Sequence, residues 1–192
     1  MTKEGRIQGV SPKEYKGISY RSTLEAETAE VLDLLGLPFE YETKKYVLLG
    51  KFKCPYQKDV VRAITYTPDF IMGSIIIECK GFETPEWRNK KKYVYKYLME
   101  NEPETSFYQI KNKRSLLQAL DKRWTELGYA VQVVNKQNRR HPVKETRVFE
   151  SVEKAMHELN IGNKATGTIL NTMIGKKDYA YGYSWKLIKI TL

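Results

Sequence analysis

The chain has 192 residues, 41% of them apolar, enough for one medium domain, or a domain with a small module, to bury a core. Lys and Arg outnumber Asp and Glu by 33 to 23, and the net charge of +10 favours a polyanionic partner, nucleic acid before an acidic membrane surface. Cys54 and Cys79 exclude a disulfide framework and, with His141 and His157, lack zinc spacing; no apolar run approaches the ~20 residues of a membrane span, and the start is not a signal peptide, so a cytoplasmic location is expected.

In chain order, the first twenty residues are polar and read as a loose arm. Ser22 can cap a helix carrying Leu24, Val31, Leu32, Leu34 and Leu35 near helical spacing, which Gly36 stops. Strands are expected over 37–46 and 60–71, with a basic loop or hairpin over 49–59 between them, and a β-branched strand over 75–80. The next helix begins with Thr84 as cap, Pro85 at the first position and Glu86 in the first turn; Trp87, Lys91, Val94 and Leu98 share a face, and Pro103 ends it. A strand over 106–111 and a helix over 115–127 follow, the helix turning Leu116, Leu120, Trp124 and Leu127 inward until Gly128 closes it. After a strand over 129–134, the polar run NKQNRRHP reads as a linker. Beyond it Ser151 caps a helix reaching Leu159, a second helix runs over 164–174 up to Gly175, and the tail over 179–190 is strand-like. The expected class is α/β, with one domain over 1–136, a linker over 137–142 and a second unit over 143–192.

The chemistry gathers in residues 66–81, YTPDFIMGSIIIECKG. Gly73-Ser74 suits a two-residue type II′ turn with glycine at its first central position. That register pairs Met72 with Ile75, Ile71 with Ile76 and Phe70 with Ile77; continued, it sets Asp69 opposite Glu78 and Thr67 opposite Lys80. Alternation then puts Asp69, Glu78 and Lys80 on one face. Opposed side chains have Cβ atoms about 4.5–5.5 Å apart, so two carboxylates there call for a cation. Mg²⁺, with Mn²⁺ as substitute, takes oxygen ligands and keeps several waters. Lys80 could orient or deprotonate an attacking water and stabilise phosphate charge. The competing reading is a solvated strand face with a surface ion pair, and Pro68, lacking an N–H, invites a bulge that would break the register.

Pro68-Asp69 with Glu78-x-Lys80 resembles the PD-(D/E)XK nuclease signature. Together with Arg21-Ser22-x-Leu24-Glu25, Gly36-x-Pro38-Phe39-Glu40-Tyr41-Glu42, Tyr66-Thr67-Pro68-Asp69-Phe70 and Ile77-Glu78-x-Lys80-Gly81, the chain resembles the bacteriophage endonuclease I family and its phage relatives from about residue 20 to residue 135. The resemblance implies a restriction-endonuclease-like mixed sheet flanked by helices and hydrolysis of DNA in the host cytoplasm. It makes Asp69 and Glu78 metal ligands, Lys80 the catalytic lysine and Glu25 a further carboxylate for metal or water. From the residues alone, Ser22-x-x-Glu25 is first a capping box. The run over 46–62 is longer than the family's equivalent connection, where the family builds its dimer bridge, which leaves a homodimer open.

A second resemblance covers Val148-Phe149-Glu150-Ser151-Val152-x-x-Ala155, Gly175-Lys176 and Ala180-Tyr181-Gly182-Tyr183-x-Trp185-Lys186, which look like the modular helix-turn-helix DNA-binding unit of homing endonucleases. It implies a second helix in the major groove, with Lys164, Thr166, Thr168, Asn171 and Lys176 as DNA contacts and Trp185 as core. Lys90 and Lys92, among Tyr93, Tyr95 and Tyr97, could track a phosphate backbone; a solvated helix face is the plain alternative. The expectation is a metal-dependent DNA endonuclease of a phage or mobile element, its carboxy-terminal module giving target preference. Its rivals are a nuclease resolving branched DNA (Holliday junctions) and a catalytically inert DNA-binding regulator.

Overall fold

The computed structural model describes residues 12–56, 58–139 and 142–190. The class is mixed α/β, as expected, and the chain divides into two compact units, residues 1–37 with 112–192 and residues 38–111.

The first unit opens with a hairpin, β1 (Lys13–Tyr15) and β2 (Ile18–Tyr20), where a loose arm is expected. Lys16 and Gly17 both take positive φ, 50° and 78°, the pair of conformations a type I′ turn needs. Residues 1–11 of the expected arm lie outside the described residues. Helix α1 (Thr23–Leu34) follows, capped by Ser22 as its sequence indicates, and Gly36 closes it with a φ of 70°.

In the second unit the two long strands expected are broken into short ones. The stretch over 37–46 yields β3 (Glu40–Tyr41), and the next strand is β4 (Tyr46–Leu49). The basic loop begins with β5 (Phe52–Lys53); the stretch over 60–71 splits into β6 (Val60–Val61), β7 (Ile64–Tyr66) and β8 (Phe70–Met72). Pro68 accounts for the last break, because it has no N–H for a ladder. Then come β9 (Ile75–Cys79), α2 (Pro85–Asn101) and β10 (Ser106–Ile110). The sheet order is β10-β9-β8-β3, with β10 and β9 parallel and the other pairs antiparallel; β4–β7 and β5–β6 are separate two-stranded ladders. One face of α2 supplies Trp87, Val94 and Leu98 to a core with Tyr46, Tyr66 and Ile76.

The chain returns to the first unit with α3 (Lys113–Asp121), capped by Asn112 rather than starting at Ser115 and ending six residues before Leu127. Next are β11 (Tyr129–Asn135), β12 (Thr146–Phe149), α4 (Val152–Glu158) capped by Ser151, a 3-10 turn (Asn163–Ala165), α5 (Thr166–Met173) and β13 (Tyr183–Lys189). β11 is the centre of the antiparallel sheet β12-β11-β13, so the boundary expected at 137–142 is corrected. That segment is the loop of a hairpin: Glu145 N donates to Asn135 Oδ1 at 2.7 Å, and Gln137 Nε2 donates to Pro142 O at 3.2 Å. A polar run without apolar anchors is the same signal for a linker and for a hairpin loop.

Candidate functional site

The turn at Gly73 fixes the geometry. Gly73 has a φ of 56° and Ser74 does not share the positive φ, the combination of a type II′ turn. The register is the expected one: Met72 with Ile75, Ile71 with Ile76, Phe70 with Ile77. There the ladder stops, so the direct opposition of Asp69 to Glu78 and of Thr67 to Lys80 is not formed as backbone pairing. Instead the Asp69 carboxylate folds onto the facing strand, Oδ2 accepting from Cys79 N at 2.6 Å, while Lys80 N donates to Ile110 O at 2.8 Å on the far side.

Asp69 is 9% exposed and Glu78 4%, which sets aside the reading of a solvated face. Burial pushes the Glu78 carboxyl above the ordinary range for glutamate. The Tyr66 hydroxyl, Lys80 and Lys90 pull the other way. Tyr66 Oη donates to Glu78 Oε2 at 2.8 Å, and Lys80 Nζ stands 3.6 Å from Glu78 Oε1. The Tyr66 phenol is itself pushed far up, by burial first and then by Glu78, with Asp69 also contributing. Both carboxylates bear on the Tyr66 hydroxyl, and the Lys80 ammonium stands beside Glu78.

Three residues that the sequence reading missed complete the surroundings. Tyr66 holds Glu78. The Trp87 ring lies 5.0 Å from Lys80 Nζ, and Gln109, the partner of Glu78 in the β9–β10 register, accepts from Trp87 Nε1 at 2.9 Å and from Lys91 Nζ at 3.1 Å. Lys91 also pairs with Glu83. Of the lysines expected to track phosphates, Lys92 is exposed on α2, whereas Lys90 is half-buried with Nζ 5.9 Å from the Tyr66 ring.

Glu25 belongs to the first unit and serves as a cap there. Its Oε1 accepts from Ser22 Oγ at 2.6 Å and its Oε2 from Arg21 N at 3.1 Å. Among the described residues, no three or more of His, Cys, Asp and Glu group so as to hold a metal ion.

The other expected contacts sit in and after α5. Lys164 is exposed, and Thr168 and Asn171 are half-buried. Thr166 is buried and its hydroxyl donates to Asn163 O at 3.3 Å, so it is packed inward rather than presented. Lys176 Nζ is bound to Glu30 Oε1 of α1 at 3.0 Å. Trp185 is buried, as a core residue should be, and its indole donates to Ala180 O.

With this arrangement in view, the comparison with known proteins is decisive: a family model described as phage endonuclease I matches residues 8–115. The chain belongs to the phage endonuclease I family. No curated protein and no solved structure matches it. Membership in the phage endonuclease I family makes the protein a nuclease with DNA as its substrate. The matched stretch holds Glu25, Asp69, Glu78 and Lys80 and ends within α3, leaving the strands and helices from β11 onward outside it. Among the described residues no helix is long and apolar enough to cross a membrane.

Proposed function

We propose that this phage endonuclease is a metal-dependent enzyme of PD-(D/E)XK type that hydrolyses DNA phosphodiesters at Asp69, Glu78 and Lys80. The observation that carries the reading is the buried carboxylate pair with a lysine ammonium 3.6 Å from one of its oxygens. The donor set suits Mg²⁺ or Mn²⁺. Two carboxylates supply hard oxygen ligands, and an ion that keeps several waters needs no more than one or two of them. A buried Glu78 whose burial opposes ionisation is also a carboxylate that gains from a nearby positive charge.

Asp69 and Glu78 would hold the ion, which when bound polarises a phosphate and lowers the pKa of its water. Tyr66 fixes the Glu78 carboxylate, and Lys80 stabilises phosphate charge and orients the attacking water. Trp87, held by Gln109, lies under the Lys80 ammonium and favours its position. Family resemblance alone would make Glu25 a further carboxylate for metal or water; within its own unit it caps α1.

The segment after β11 would then give target preference through a helix-turn-helix formed by α4 and α5, with Lys164, Thr168 and Asn171 toward DNA. A homodimer cutting branched DNA is the alternative. The test is nicking of plasmid, linear and four-way DNA with Mg²⁺. Asp69→Asn, Glu78→Gln and Lys80→Ala are each expected to lower the rate by about a hundredfold or more while the protein stays folded. Full activity in chelator after metal stripping overturns the metal mechanism, and wild-type cutting by a folded variant removes that residue from the catalytic set.

A further inference from the structure

The β5–β6 ribbon has no part in the site described above. It pairs Phe52 with Val61 and Lys53 with Val60, so one apolar pair faces one way and a lysine–valine pair the other. Neither face is covered. Phe52 is 48% exposed, Val60 55% and, at the tip, Tyr56 96%. Among the described residues from 50 to 63, only Cys54 is not exposed. An isolated two-stranded ribbon is marginal in water and gains most from a surface that covers it.

The charge of the ribbon says what that surface is. Residues 50–63 carry Lys51, Lys53, Lys58 and Arg62 against Asp59 alone. Among the described residues no ion pair engages any of these four cations. Exposed apolar groups framed by unpaired cations match a polyanion whose groove also offers apolar groups to contact. The major groove of duplex DNA admits a two-stranded β-ribbon, offers thymine methyls to apolar side chains, and is walled by phosphates.

We propose that the β5–β6 ribbon is an arm that enters duplex DNA. Lys51, Lys53, Lys58 and Arg62 contact phosphates, and Phe52 and Tyr56 lie against the groove. The proposal rests on the reading of the chain as a DNA nuclease and adds to it a gripping element outside the catalytic hairpin. A second copy of the chain is the rival occupant, disfavoured because two such ribbons would bring like charges together.

The test uses the full chain and a short duplex in chelator, with affinity measured by fluorescence anisotropy over a range of salt. Replacing Lys51, Lys53, Lys58 and Arg62 together by Gln should lower the slope of log affinity against log salt by about 0.9 for each phosphate that the arm no longer neutralises. Phe52→Ser should weaken binding several-fold at an unchanged slope. All five residues are exposed, so the melting temperature should hold. As a second measurement, duplex DNA should protect Lys51, Lys53 and Lys58 from acylation in the unmodified protein. Wild-type affinity and slope in the variants, with the unmodified protein still binding and cutting DNA, overturn the arm and leave the nuclease reading intact. Loss of dimers in sedimentation with unchanged DNA binding overturns the arm in favour of the second copy. Failure of the unmodified protein to bind or cut any DNA overturns both readings.

Discussion

A carboxylate that serves a charged reaction while buried depends on what its oxygens meet. For Glu78 those partners are a tyrosine hydroxyl at 2.8 Å and a lysine ammonium at 3.6 Å. The hydroxyl sits in an aromatic cluster, with the Tyr66 ring 5.9 Å from Trp87 and 6.2 Å from Tyr46, so it has little freedom to leave. A hydrogen bond to a charged group is worth about 1.5–3 kcal/mol. Tyr66→Phe keeps the ring and removes that bond, so nicking should fall by about tenfold to a hundredfold with the aromatic packing intact. Plasmid nicking beside a thermal melt checks this. An unchanged rate at unchanged stability would show that Glu78 needs no such anchor. The register of β8 on β9, from Met72–Ile75 to Phe70–Ile77, was legible in the sequence because one turn sets it. Tyr66, Trp87 and Gln109 were not, because they arrive from β7, α2 and β10, whose pairing no local pattern dictates.

Among the elements, the join between α3 and α4 depends on one side chain. Asp121, the last residue of α3, accepts from Val152 N at 2.6 Å and Trp124 Nε1 at 2.7 Å with Oδ1, and from Glu153 N at 2.9 Å with Oδ2. It thus satisfies two of the free N–H groups that open α4, alongside Ser151. Asp121→Ala leaves buried donors unmet and should cost about 3 kcal/mol, whereas Asp121→Asn keeps an acceptor and should cost less. Burial holds the Asp121 carboxyl above the usual aspartate range, although its three donors pull it down. A folded pKa above the unfolded one gives stability that is full below the unfolded value and declines as pH rises through the folded one. As pH rises from about 4, the ordinary aspartate value, the Asp121→Asn variant should therefore gain on the wild type until the folded carboxyl has ionised, and paired thermal melts across that range would show it. A gap that widens with pH would contradict the assigned cause. The ends of α1, α2 and α4 were readable from Ser22, Thr84 and Ser151, whose side chains accept from the N3 amides. The early end of α3 was not, since Trp124 continues the apolar spacing although it is buried beyond the helix.

For the molecule as a whole, the sheet β12-β11-β13 decides how target preference can be tested. Composition alone suggests a cut after residue 136, which would leave β11 without both neighbours. Ala130, Val131 and Val133 would lose their cover, and Trp185 and the α5 residues packed on α3 and β13 would be gone. Each fully buried valine contributes about 1.5–3 kcal/mol, so the loss is a large share of a typical domain stability of about 5–15 kcal/mol. Residues 1–136 should consequently lack the cooperative melt of the first unit and be cut readily by protease in β11, and weak cutting by that fragment would say nothing about selection of DNA. Substitution in the intact chain avoids this. Lys164 is exposed, and Thr168 and Asn171 are half-buried, so replacing the three by Ala should leave the fold in place. If α5 reads bases, each bidentate base interaction removed takes away about 1–3 kcal/mol of discrimination while the grip on phosphates persists. Cut sites mapped on one long DNA at fixed salt should then spread over many more positions, at a total nicking rate within about threefold of wild type. An unchanged cut pattern in the folded triple variant would remove α5 from target selection and move the reading toward recognition of branched DNA.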